Sequence, residues 1–259
     1  MNPDETFPHT FAGVLNLVKY LRSPSGCPWD KKQNHMSMKE QLIEECYELI
    51  EAIESNDPKL IAEELGDVLL NLLMHMSIAE NDQSFTPKDV YKTLIEKLIY
   101  RHPHVFKSPE LKDPEEVKSN WQQLKSLEKP ESSLLSGIPK TLPALAFAQQ
   151  SQYRASVNKF DWTDIDGVLS KITEEANELK TAQTKPEQES EFGDLLFSIV
   201  NLARWLEIEA ESSLRHANQR FTARFEIMED LCKAKGLDFF DLSDNEKDLL
   251  WQTAKAVGI

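Results

Sequence analysis

Glycine is scarce in this chain, eight in 259 residues, and runs that alternate β-branched with polar side chains, as half-buried strands do, are hard to find. Leu, Glu, Lys, Ala and Gln fill the periodic stretches instead, so the expected fold is all-α. The three cysteines, Cys27, Cys46 and Cys232, are an odd number without metal-ligand spacing, which fits a reducing compartment, and packing is the expectation for Cys27 and Cys46. Basic residues are also short: 29 Lys and Arg against 44 Asp and Glu leave a net charge of -15. Such a field repels polyanions and argues against a nucleic-acid polymer as partner, while a small anionic ligand that brings its own divalent metal stays compatible. The longest apolar run, Val68 to Ala79, is broken by Asn71, His75 and Ser77 and is too short for a bilayer. Residues Met1 to His9 are polar, with no basic region ahead of an apolar core. No secretory signal and no membrane are therefore expected, and a cytoplasmic enzyme or scaffold is the default.

What the chain does contain is written twice. Glu45, Glu48, Glu64, Asp67, Lys97, Arg101, Trp121 and Lys125 reappear in the same order as Glu175, Glu178, Glu191, Asp194, Arg220, Arg224, Trp251 and Lys255. This duplication predicts two domains, 1–128 and 145–259, joined by a linker over 129–144 that is rich in Pro and Ser. Helices are expected over about Thr10–Leu21, Met38–Ser55, Lys59–Glu80, Pro87–Tyr100 and Pro114–Glu128, and again over about Leu145–Ser156, Asp166–Thr181, Gln188–Glu207, Ala210–Lys235 and Ser243–Ala256. Loops containing Cys27-Pro28-Trp29-Asp30 and Phe160-Asp161-Trp162 interrupt them, and Asp57-Pro58 and Thr184-Lys185-Pro186 read as hinges of helical hairpins.

Residues three apart lie about 60° apart around a helix, so Glu175 with Glu178, and Glu191 with Asp194, each share a face. An antiparallel hairpin lets the two pairs meet. The second helix of that hairpin is apolar almost all round, leaving little surface for water, and its exceptions Glu191, Asp194, Ser198 and Asn201 form one stripe. Glu64, Asp67, Asn71 and His75 repeat that stripe. Ionised carboxylates turned toward an interior cost several kcal/mol each unless a cation or donor compensates them, so the array is expected to hold a divalent ion in a dry interhelical gap. Oxygen-only ligands of this hardness select Mg²⁺, with Mn²⁺ as a substitute. Gly66 and Gly193, inside these helices, read as places of close helix packing.

Arg220 and Arg224 share a helical face, as do Lys97 and Arg101, either to hold phosphate oxygens or to pair with neighbouring Glu. Trp251 and Lys255 put a ring beside a cation, to receive a base and a phosphate or simply as a core Trp with a solvated Lys. Lys171, one turn before Glu175, is placed to touch the same phosphate.

With these motifs the chain resembles MazG-type nucleoside triphosphate pyrophosphohydrolases in their long, two-domain form. The resemblance rests on Cys27-Pro28-Trp29-Asp30, Glu44-Glu45-x-x-Glu48, Glu64-Leu65-Gly66-Asp67, Arg101-His102-Pro103-His104-Val105-Phe106, Gly137-Ile138-Pro139, Phe160-Asp161-Trp162, Glu174-Glu175-x-x-Glu178, Gly193-Asp194-Leu195-Leu196-Phe197 and Val200-Asn201-Leu202-Ala203-Arg204. It implies four-helix units completed by homodimerisation, Mg²⁺ dependence, and hydrolysis of nucleoside triphosphates to monophosphate and pyrophosphate. It also implies metal ligands at Glu175, Glu178, Glu191 and Asp194 and nucleotide contacts at Lys171, Arg224, Trp251 and Lys255, with Arg220 where the family often has Lys. Glu174 or Glu175 is the candidate general base.

Gln41 stands in the first half where the second has Lys171, and Met74 where the second has Asn201. Catalysis is therefore expected mainly after residue 145, with the first half structural or regulatory. Two rivals from other classes are a di-iron carboxylate bundle, which wants Glu-x-x-His where this chain has Glu or Asp, and a non-catalytic acidic scaffold.

Overall fold

The structure, a computed structural model, describes residues 6–107, 113, 116–117, 120–121, 124 and 133–257. Lys125, most of the helix expected over 114–128 and the start of the expected linker lie outside the described residues. Among the described residues every element is helical: α1 Phe11–Leu21, α2 Pro28–Lys32, α3 Lys39–Ser55, α4 Pro58–Asn81, α5 Pro87–Arg101, α6 Pro103–Phe106, α7 Ala144–Val157, α8 Ile165–Thr181, α9 Lys185–Trp205, α10 Ala210–Lys235 and α11 Asp244–Ala256, with a 3₁₀ turn at Phe239–Asp241. The all-α expectation holds, and none of the described helices is long and apolar enough to cross a membrane. The chain separates into two compact units, Met1–Lys112 and Asp113–Ile259.

Each unit is organised around a helical hairpin, α3 with α4 and α8 with α9. The hinges are chemical. Asn56 adopts the left-handed conformation (φ 55°), and Asp57 Oδ1 then accepts from the Lys59 N–H at 2.9 Å, with Pro58 opening α4 where its missing N–H costs nothing. Thr184 and Glu187 form a reciprocal capping box at the start of α9, and Pro186 sits in its first turn. The Cys27-Pro28-Trp29-Asp30 segment departs from the expected loop. Pro28 starts the short helix α2, because its fixed φ suits a first helical turn.

The first unit has a core of Val18, Met38, Leu73, Met74 and Ile78, which joins α1 to α4. In the second, Met228, Cys232, Leu242, Leu250 and Ala254 lock α10 to α11, with Trp251 packed against them. Two expectations fail. A Cβ on Gly66 or Gly193 would meet nothing within 4 Å, so neither glycine marks close helix packing within the chain. Nor is α9 enclosed: Phe192, Phe197 and Ile199 are 54%, 48% and 46% exposed, because one chain covers only one side of the helix.

Candidate active site

The hairpins bring the carboxylates together. Glu175, Glu178 and Glu191 each offer an oxygen, and these atoms lie within 4.8 Å of one another; Glu45, Glu48 and Glu64 do the same in the first unit. Asp194 and Asp67 stand one turn along their helices from Glu191 and Glu64 and are not part of these close groups. The gap is not dry in the single chain. Glu175 is buried and Glu191 half-buried, but Glu178 and Asp194 are exposed, since the apolar residues flanking them on α9 are themselves uncovered.

Electrostatics fit a cation at both places. Partial desolvation, then the charges of Glu175 and Glu191, push the Glu178 carboxyl above the ordinary range, although Lys171 pulls it down. Glu48 is raised by desolvation and by Glu45 and Glu64, and Glu64 by desolvation and by Asp67, Glu63 and Glu45. Glu64 Oε2 is also buried without a hydrogen-bond partner. Mutually repelling carboxylates, one with an orphaned oxygen, form an oxygen-only donor set, and neither close group contains His or Cys. That is the chemistry of a hard divalent ion.

Lys171 occupies the edge of the second group. Its Nζ lies 2.6 Å from Glu175 Oε1 and 2.8 Å from Glu174 Oε1, contacts that raise the ammonium pKa. In the first unit Gln41 Nε2 makes the weaker contact to Glu45 Oε1 at 3.3 Å.

A separate group forms where α10 meets α11. Arg224 Cζ and Lys255 Nζ lie 5.9 and 5.8 Å from the centroid of the half-buried Trp251 ring, and Phe221 packs on the same ring at 5.5 Å. Trp251 thus packs on the core and holds two cations beside its ring. Arg220 lies one turn before Arg224 and is exposed.

Sequence reasoning missed a third feature of the second unit. A cavity of about 610 Å³ is lined by Gln152, Trp162, Lys171, Phe197, Asn201 and Arg204, among others. Arg204 Nη1 donates to Asp161 Oδ2 at 2.9 Å, and its Nε and Nη2 donate to Asn201 Oδ1 at 3.0 and 2.9 Å. Burial alone would lift the Asp161 carboxyl, but hydrogen bonds from Arg204, the Trp162 N–H and Trp205 Nε1 hold it below the usual range. The sequence signal for this network was the pair of motifs Phe160-Asp161-Trp162 and Val200-Asn201-Leu202-Ala203-Arg204, which spacing alone does not connect.

Comparison with known proteins identifies the family rather than the site. Residues 33–106 match the MazG nucleotide pyrophosphohydrolase domain. The chain is 47% identical over 247 residues to the nucleoside triphosphate pyrophosphohydrolase/pyrophosphatase MazG of Thermotoga maritima, covering 95% of each protein. It is 37% identical over 251 residues to the nucleoside triphosphate pyrophosphohydrolase of Escherichia coli K12, covering 93% of this chain and 95% of that protein. It is also 44% identical to an uncharacterised Bacillus subtilis protein, YabN, of which it spans 52%.

Proposed function

Because the chain belongs to the MazG nucleotide pyrophosphohydrolase family, we propose that its second unit hydrolyses nucleoside triphosphates to monophosphates and pyrophosphate with Mg²⁺, or Mn²⁺ in its place. The chain is an enzyme, a nucleoside triphosphate pyrophosphohydrolase. The observation that carries the assignment to the second unit is the convergence of Glu175, Glu178 and Glu191 beside Lys171, a combination the first unit lacks because Gln41 replaces the lysine.

Glu175, Glu178 and Glu191, with Asp194 one turn on, hold the ion. When bound, it neutralises phosphate charge and lowers the barrier to attack by water. Lys171 is in reach of substrate oxygens once it gives up part of its contact with Glu174 and Glu175. Arg224 and Lys255, aligned by Trp251, and Arg220 beside them supply further positive charge to the phosphates. Water attacks the α-phosphorus and pyrophosphate departs with the electron pair of the broken P–O bond. Glu174 or Glu175 takes the proton of that water.

We further propose a homodimer. Phe192, Leu196 and Ile199 expose apolar surface on α9, and Gly193 beside them leaves open space, as a helix does where a second copy completes the bundle. The setting proposed is cytoplasmic, in clearing the nucleotide pool or controlling nucleotide signals, and the first unit serves a structural or regulatory role with weaker activity.

Incubating the protein with a nucleoside triphosphate and Mg²⁺ tests the reaction. Monophosphate and pyrophosphate are expected in equal amounts; diphosphate with orthophosphate would contradict the reading.

A further inference from the structure

The residues that hold ion and phosphates leave the 610 Å³ cavity of the second unit without a task, though its size lies in the range of roughly 300–1,000 Å³ common for small-molecule sites. Lys171 belongs both to its wall and to the acidic group, so the cavity opens beside the carboxylates. Its walls carry the flat surfaces of Trp162 and Phe197. Trp162 can lie against the first turn of α8 only because residue 167 is glycine: a Cβ there would come within 2.8 Å of Trp162 Cε3.

Two amides in this wall have their orientation dictated by their partners. Gln152 Nε2 donates to the main-chain oxygen of Phe197 at 2.8 Å, and a carbonyl oxygen only accepts, so Oε1 is the end left over. Gln152 is 8% exposed, and that Oε1 is buried with no partner. Asn201 Oδ1 accepts twice from Arg204, and a guanidinium only donates, so Asn201 keeps Nδ2 as its donor end. Asp161 clamps the remaining face of Arg204. Phe197 and Asn201 are one turn apart on α9, so a fixed acceptor and a fixed donor stand on neighbouring parts of one wall.

We propose that this cavity reads the nucleobase: Asn201 donates to a base carbonyl or ring nitrogen, Gln152 accepts from an adjacent base N–H, and Arg204, anchored by Asp161, is the positioning residue that sets the polarity of Asn201. The assignment rests on the pyrophosphohydrolase reading and deepens it. It leaves Trp251, already flanked by Arg224, Lys255 and Phe221, to align phosphate-binding cations rather than to stack a base. In the first unit Met74 and Ser77 take the places of Asn201 and Arg204 and are 2% and 3% exposed, packed where the second unit is hollow.

Asn201→Asp tests this closely, because it keeps an acceptor for Arg204 and replaces the donor end by an oxygen. Pyrophosphate release is measured for wild type, Asn201→Asp, Gln152→Met, Arg204→Met and Arg204→Lys on triphosphates of adenine, guanine, cytosine and uracil. Quenching of tryptophan fluorescence by the four phosphate-free nucleosides is measured alongside, and thermal melts identify any variant that fails to fold. The expected result is a loss of kcat/KM of about tenfold or more, carried by KM, with the order of the bases changed in both assays. Arg204→Met should reproduce the new order and Arg204→Lys should restore part of the old one. An unchanged base order in Asn201→Asp and Gln152→Met, in an active wild type, would overturn the base assignment alone. A wild type that releases no pyrophosphate but still shows nucleoside quenching reordered by Asn201→Asp would overturn the hydrolase reading alone.

Discussion

Lys171 Nζ lies 2.6 Å from Glu175 Oε1, and at the matching turn of the first hairpin it is Gln41 Nε2 that reaches Glu45 Oε1, at 3.3 Å. The two hairpins share their carboxylates and differ in the cation beside them. Lys171→Gln makes the second site resemble the first, and kcat/KM for pyrophosphate release should fall roughly 10- to 1,000-fold, because a charge aimed at phosphate oxygens is lost. Binding of Mg²⁺, followed by titration calorimetry, should not weaken, since the ammonium competes with the ion for Glu175. A weaker Mg²⁺ affinity together with unchanged turnover would assign Lys171 to holding the acidic group in place.

Asp161 carries a pH dependence of known sign. Its folded carboxyl titrates below the unfolded value because Arg204, the Trp162 N–H and Trp205 outweigh the effect of burial. The stability it contributes is therefore fully present above the unfolded carboxylate range and is lost as pH falls through the lower folded pKa. Thermal midpoints of wild type and Asp161→Asn should differ most near neutrality and converge as acid carries the pH through the lowered folded pKa. A difference that grows on acidification would reverse this assignment.

The exposed face of α9 predicts assembly. Phe192→Glu places a charge where a second copy is proposed to pack, and light scattering should show a smaller mass than for wild type, with activity falling in parallel. A wild type that is monomeric at assay concentration would remove the dimer from the account.

The hairpins are legible in the sequence because their ends are chemical: Asp57-Pro58 and Thr184-Lys185-Pro186 cap and open the second helix of each hairpin. The meeting of Glu175, Glu178 and Glu191 follows from the same logic, three-residue spacing on two helices joined by a short turn. Periodicity does not report solvent. An apolar helix such as α9 reads as buried whether its cover comes from its own chain or from another, which is why Glu178 is exposed where a dry gap is expected. Nor does local spacing pair Asp161 with Arg204, 43 residues apart, so the network that shapes the cavity becomes visible only once α9 folds back past the loop ahead of α8. Gly193 misleads for a related reason: its open side implies a missing neighbour, whereas its sequence context alone suggests a present one.

The most direct test compares Glu178→Gln with Glu48→Gln, each removing one charge from one acidic group and leaving its shape nearly intact. Initial rates of pyrophosphate release are measured with saturating Mg²⁺ and a nucleoside triphosphate. A loss of about 100-fold or more in kcat/KM is expected for Glu178→Gln and a much smaller change for Glu48→Gln. A larger loss from Glu48→Gln, or full activity in Glu178→Gln, would contradict it.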